Sequence, residues 1–118
     1  MPRKKEDEAQ RKLVANRINM ALARKGITAV ELSKKTGISE SDISNYRHAR
    51  YMPKQSNVFL LALALGVSPS WLWGMDENEH TDNELDYLWG MLSDNDRLQA
   101  LDYMRYLILR GVNHEETL

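Results

Sequence analysis

Apolar residues recur at helical spacing through most of the chain, and the breaks between stripes carry glycine, proline and capping residues. Val14, Ile18, Ala21 and Leu22 form one stripe. They predict a first helix that begins between Glu6 and Ala9, runs to Lys25 and closes at Gly26. A second helix over about Ala29–Thr36 is expected to bury Leu32 and Val30. A third, over about Glu40–His48, is expected to bury Ile43 and Tyr46, three residues apart and so neighbours on one face. Met52-Pro53 breaks the chain, because proline disfavours a helical residue before it. Val58, Leu61, Ala62 and Leu65 predict a fourth helix over about Ser56–Leu65, ended by Gly66. Ser68 caps a short fifth helix with Pro69 at its first position, where the missing N–H costs nothing. Trp71 and Leu72 then plug the bottom of a bundle or line a ligand box; their spacing favours core.

Residues 74–83 have no apolar periodicity and read as a linker. Beyond it the periodicity returns. Leu85, Leu88 and Leu92 predict a sixth helix over about Asn83–Leu92. Leu98, Leu101, Met104, Leu107 and Ile108 predict a seventh over about Asp94–Arg110, capped by Gly111 and ending in a loose tail. A hairpin of about thirty residues cannot bury its apolar face alone. It folds back on the preceding bundle or pairs with the same hairpin of a second chain. A symmetric dimer gives both stripes a partner and is the favoured expectation. Tyr87, Trp89, Tyr103 and Tyr106 add aromatic area that suits an interface.

The polar positions say more about the middle of the chain. Thr28 and Glu31 make a capping box, in which the hydroxyl bonds the third helical N–H and the carboxylate reaches back. Ser39 with Asp42, and Ser93 with Asp96, repeat it with a shorter acid. Gly37 lies where the second helix must stop and the backbone needs positive φ. Two short capped helices joined by a glycine turn make a helix-turn-helix. Ser33 occupies the crowded point where the two approach and must be small.

Thr28, Glu31, Leu32, Ser33, Thr36, Gly37, Ile38, Ser39, Ile43, Ser44 and Tyr46, at these spacings, resemble the helix-turn-helix of the Cro and phage-repressor (XRE-like) family. So does the downstream run Leu61, Ala62, Ala64, Leu65, Gly66, Val67, Ser68, Trp71, Leu72 and Gly74. The resemblance covers roughly residues 14 to 74. It implies an all-α protein: a five-helix lambda-repressor-like bundle over residues 1–74, then a linker (75–82) and a C-terminal helical oligomerisation hairpin (83–111). The oligomerisation residues would be Leu85, Leu88, Leu92, Leu98, Leu101, Met104 and Ile108.

Charge sharpens the division. Residues 1–56 hold thirteen Lys and Arg against six Asp and Glu, whereas residues 57–118 hold three against eleven. A basic half that carries the helix-turn-helix fits a phosphate-binding surface, and the acidic half should stay off DNA. There is no cysteine, which excludes disulfides and thiolate metal sites. No apolar run approaches a membrane span, and the N-terminus lacks the apolar core of a signal peptide. The expectation is a soluble cytoplasmic protein without cofactor or metal. Residues 2–5, Pro-Arg-Lys-Lys, are either a basic arm that reaches around the duplex or a frayed terminus.

The third helix is short enough in its side chains to lie in a groove. Glu40, Ser41, Ser44 and Asn45 are placed to read base edges, and Asn45 could bond adenine in a bidentate way. Glu40 either accepts from a cytosine amino group or serves the helix dipole alone. Arg47, His48, Arg50, Tyr51 and Lys54 are placed to grip phosphates, and the N–H groups at Thr28 and Ala29 should point at another. Two positions depart from the family pattern. Ala29 stands where a glutamine is common. Arg47 and Leu22 stand where many members carry an acid and a base, so Arg47 is expected to be free for DNA.

No catalytic constellation is visible. His48, His80 and His114 lie in separate segments without metal-ligand spacing, and no glycine-rich phosphate loop is present. The chain ends too soon for the Ser–Lys self-cleaving domain of larger phage repressors, and the stretch beyond Gly74 reads as helical. Three function classes remain. The first is a homodimeric repressor of phage, prophage or bacterial type on an inverted-repeat operator in double-stranded DNA. The second is an antitoxin or adaptor whose acidic C-terminal helices bind a toxin, an antirepressor or another protein. The third is a structural or RNA-binding helical bundle without sequence reading.

Overall fold

The computed structural model describes the backbone of residues 3–80 and 83–116, and the side chains of 7–80 and 83–112. The described residues form seven helices: α1 (Arg3–Lys25), α2 (Ala29–Thr36), α3 (Glu40–Arg47), α4 (Gln55–Leu65), α5 (Pro69–Trp73), α6 (Glu84–Met91) and α7 (Asp94–Glu116). They fall into two compact units, Met1–Thr81 and Asp82–Leu118.

In the first unit α1 packs on α3, α4 and α5, α2 on α3 and α4, and α4 on α5. Ile18, Leu32, Ile43, Leu61 and Leu72 are fully buried where these helices meet. The whole predicted stripes of α1 and α4 are buried, and Trp71 and Leu72 of α5 close the core. Val30 does not join it. In an eight-residue helix Val30 and Leu32 lie about 200° apart, so both cannot face inward; Leu32 is buried and Val30 is exposed.

Helix α1 begins at Arg3, earlier than the stripe indicates, so residues 3–5 of the expected arm are helical; Pro2 lies outside the described residues. Its interior carries no glycine or proline to stop it, and charged residues favour a helix nearly as well as apolar ones. The segment expected as a linker is also tied down in part. Gln10 Nε2 donates to the Trp73 carbonyl at 3.0 Å, and Arg17 donates to the carbonyls of Trp71 and Asp76. The Arg17 guanidinium lies over the Trp71 ring, 4.9 Å from its centroid. Arg24 pairs with Glu79, whose carbonyl accepts from the Ser68 N–H at 2.7 Å. Gln10, Arg17 and Arg24 are seven residues apart, two helical turns, so one edge of α1 holds this segment. Gly74 ends α5 at φ 92°, and a Cβ there would meet Leu13 at 2.7 Å. Ser68 precedes α5 in extended conformation but makes no side-chain cap bond.

The second unit consists of α6 and α7, joined through Leu92 and Ser93. Ser93 caps α7, its hydroxyl accepting from the Asp96 N–H at 3.1 Å. Arg97 Nε donates to the Trp89 carbonyl at 3.1 Å, with the guanidinium over the Trp89 ring. No described side chain of residues 83–112 is buried. Gly111 does not end α7, which continues through it to Glu116. The tail expected to be loose is helical to that point, and residues 117–118 lie outside the described residues.

Candidate nucleic-acid interface

The turn between α2 and α3 is locked by side chains. Thr28 caps α2, accepting from the Glu31 N–H at 3.1 Å, and Ser39 caps α3, accepting from the Asp42 N–H at 3.1 Å. Gly37 closes α2 at φ 77°, with its N–H on the Ser33 carbonyl at 2.8 Å. Ser33 is more than small: its hydroxyl donates to the Ile38 carbonyl at 2.6 Å. Thr36 Oγ1 donates to the Leu32 carbonyl at 2.7 Å and accepts from the Ile38 N–H at 3.2 Å. Backbone groups that the turn withdraws from helix bonding are therefore satisfied locally. Ile38, buried, pins the turn to the core.

Helix α3 is seated by Ile43 and Tyr46, both buried. The Tyr46 hydroxyl accepts from Asn57 Nδ2 at 2.9 Å, which ties α3 to α4. At 100° per residue the opposite side of α3 carries Ser41, Ser44, Asn45 and His48, with Glu40 at its edge. Glu40, Ser41 and His48 are exposed, and Ser44 and Asn45 half-buried. The expected base-reading residues therefore share one outward strip of short polar side chains.

The flanks behave differently. Arg47 Nε donates to Asn19 Oδ1 at 2.7 Å, and Asn19 Nδ2 donates back to the Arg47 carbonyl at 3.1 Å. Arg47 is therefore not free: a reciprocal pair with α1 holds it. Asn19 carried no signal beyond its place one residue after Ile18, because a neutral amide does not stand out where an ion pair is sought. Arg11 was missed in the same way; its Nε donates to the Ala49 carbonyl at 3.1 Å. Ala49 comes just after the helix in the left-handed region, at φ 59°. That reversal brings the Arg50 N–H to the Asn45 carbonyl at 2.9 Å and Arg50 Nη1 to Asn45 Oδ1 at 3.4 Å.

His48 turns back on its helix. Its Nδ1 lies 2.7 Å from the Ser44 carbonyl; a carbonyl can only accept, so Nδ1 carries the hydrogen and Nε2 faces away. Tyr51, Arg50 and Lys54 are exposed beyond the end of α3. Lys54 is the N-cap residue of α4 and makes no side-chain cap bond, and Thr28 is exposed at the start of α2 with Ala29 half-buried. In both helices the first N–H groups lack in-helix acceptors by position. Among the described residues no group of three or more His, Cys, Asp or Glu gathers as a metal site.

Comparison with known proteins agrees with this geometry. Residues 18–72 match the family described as helix-turn-helix. No curated protein matches the chain. A solved chain from the complex of the SinR protein with the SinI protein has a similar fold, at a TM-score of 0.51 and 23% identity, over 79% of this chain and 95% of that one. That share is larger than the first unit alone supplies, so the likeness extends past residue 81. With its two capped helices, glycine turn and outward polar strip, the segment 18–72 is a helix-turn-helix domain of the kind found in DNA-binding transcriptional regulators.

Proposed function

We propose that the protein is a cytoplasmic, sequence-specific repressor that binds an inverted-repeat operator as a homodimer. The observation that carries this reading is the outward strip of α3. Ser41, Ser44, Asn45 and His48 form a narrow polar face on a helix whose other side is fixed in the core. The major groove is wide enough to admit such a helix, and short polar side chains let its backbone approach the bases. Glu40 stands at the entering end and accepts from a cytosine amino group. His48, Arg50, Tyr51, Lys54 and the N–H groups at Thr28 and Ala29 hold phosphates on either side, which sets register. Arg47 is assigned instead to holding α3 against α1.

We assign the dimer contact to residues 83–111 of the second unit. Leu85, Leu98 and Ile108 are 66%, 63% and 66% exposed, and Leu88, Leu92, Leu101 and Met104 are not buried either. Such a surface needs a cover, and a second copy supplies one of matching pattern.

Gel retardation on an inverted repeat, at several salt concentrations, tests the DNA reading. Binding should weaken steeply with salt, with a log–log slope of about −0.9 per phosphate held. Equal affinity for scrambled duplexes would reject base reading.

A second reading is favoured by the same open second unit and by the SinR–SinI complex. There the α6–α7 surface takes a different protein, as an antitoxin or antirepressor-controlled regulator would. Sedimentation of the purified chain separates the two: a stable dimer supports the first, a monomer the second.

A further inference from the structure

We propose that Arg50 is a positioning residue for base reading: with Asn45 it forms one coupled unit that presents the amide NH2 of Asn45, rather than its oxygen, to the major groove. This rests on the reading of α3 as the helix that enters the groove.

The structural basis is the turn after α3. Ala49, held at φ 59° with its carbonyl bonded by Arg11, reverses the chain over the last turn of the helix. Arg50 is then fixed twice to the same residue, by its backbone N–H on the Asn45 carbonyl at 2.9 Å and by Nη1 at 3.4 Å from Asn45 Oδ1. The oxygen and nitrogen of an amide side chain are interchangeable in shape, so chemistry must decide which faces which neighbour. A guanidinium has donors only; the atom facing it must be the oxygen. The amide plane then turns Nδ2 to the opposite side. Asn45 is half-buried on the outward strip. Arg47 is held on the other side of the helix, with its Nε on Asn19 Oδ1.

The consequence is a definite class of base. A bidentate contact to adenine needs the amide oxygen and NH2 side by side on N6 and N7. With the oxygen drawn to Arg50, the amide NH2 is the group of Asn45 turned to a base. It then fits any base with a major-groove acceptor, namely guanine through N7 or O6, adenine through N7 and thymine through O4, and it discriminates against cytosine, which offers a donor there. Arg50 thus shapes sequence preference as well as adding a positive charge.

The test is selection of binding sites from a duplex pool randomised over each half-site, using the full chain. The proteins compared are wild type, Asn45→Ala, Arg50→Ala, Arg50→Met and Lys54→Ala. Wild type should exclude cytosine at one position per half-site, about fivefold or more. Asn45→Ala should flatten that position. Arg50→Ala and Arg50→Met should shift the same position towards adenine alone, because the freed amide can then use both its atoms. Lys54→Ala should lower affinity for every sequence with an unchanged profile. If both Arg50 variants lose affinity uniformly and keep the wild-type profile, Arg50 is a phosphate contact only, and the proposal fails while base reading stands. A wild-type profile flat at every position would remove base reading and the proposal with it.

Discussion

The two units contain comparable apolar stripes and use them differently. In the first, leucine, isoleucine and valine from five helices meet and close on one another, down to full burial at Leu32, Ile43 and Leu61. In the second, stripes of the same spacing lie on α6 and α7 with no described side chain buried. Helical periodicity states that a face must be covered; it does not state whether the same chain supplies the cover. The first unit is self-sufficient because α1 spans α3, α4 and α5 at once. A unit of two helices has no third element to do this.

The sharpest way to break that contrast is to make equal truncations in both units. Leu61→Ala or Leu32→Ala leaves a cavity in a closed core and should cost ~2–5 kcal/mol in urea unfolding. Ile108→Ala, at concentrations low enough to keep the chain monomeric, should cost under ~0.5 kcal/mol, as for an exposed position. A cost at Ile108 equal to that at Leu61 would show that the second unit already has its cover within one chain.

Next in size is the association itself. Leu101→Asp together with Ile108→Asp puts two charges on the α7 stripe. The expected product is a monomer in sedimentation, with the first unit still folded by thermal melting. Affinity for a full inverted repeat should fall by about a hundredfold or more, since two linked half-sites bind far more tightly than one, while affinity for a single half-site stays within about twofold. A dimer that survives the double change moves the interface elsewhere.

These differences separate the legible parts of the chain from the rest. Stripes and caps are local, so the helices of the first unit lie almost where their apolar spacing and their Thr28, Ser39 and Gly37 signals place them. Helix ends without a cap were not legible: α1 starts before its first buried residue, and α7 runs through Gly111, since a glycine stops a helix only where the chain must turn. The polar strip of α3 was legible because short polar residues opposite Ile43 and Tyr46 have no packing role. The supports of that strip were not. Asn19, Arg11 and Arg17 mostly meet backbone carbonyls, which every residue carries and no residue type announces. The expectation of a free Arg47 considered only an acid as its partner, when an amide with both a donor and an acceptor serves as well.

Arg17 sharpens the comparison at the next level. It is a buried cation whose partners are two carbonyls, an indole face and, at 3.8 Å, the exposed Glu77 carboxylate. Arg17→Met keeps most of the packing but leaves the Trp71 and Asp76 carbonyls without this donor. The expected loss is ~1–3 kcal/mol, smaller than Leu61→Ala. Limited proteolysis should also find new cleavage within residues 75–80. A variant as stable and as resistant as wild type would mean that the segment is held by its own turns.

The smallest effect is the most discriminating, because the same device occurs in both units. Ser39 and Ser93 each accept from the N–H three residues on, at 3.1 Å, and each starts a helix. Locally the two alanine substitutions remove the same bond, ~1 kcal/mol in either helix. The difference lies in where that energy is registered. Helix α3 is part of a closed core, so Ser39→Ala should lower the unfolding free energy of the first unit at any protein concentration. In the proposed dimer helix α7 gains its burial only on association, so Ser93→Ala should leave that unfolding unchanged and weaken the dimer instead, by about fivefold per kcal/mol for each chain that loses the cap. Equal shifts in concentration-independent unfolding for both variants would mean that α7 belongs to the core of its own chain after all, and the contrast between the two units would be one of exposure only.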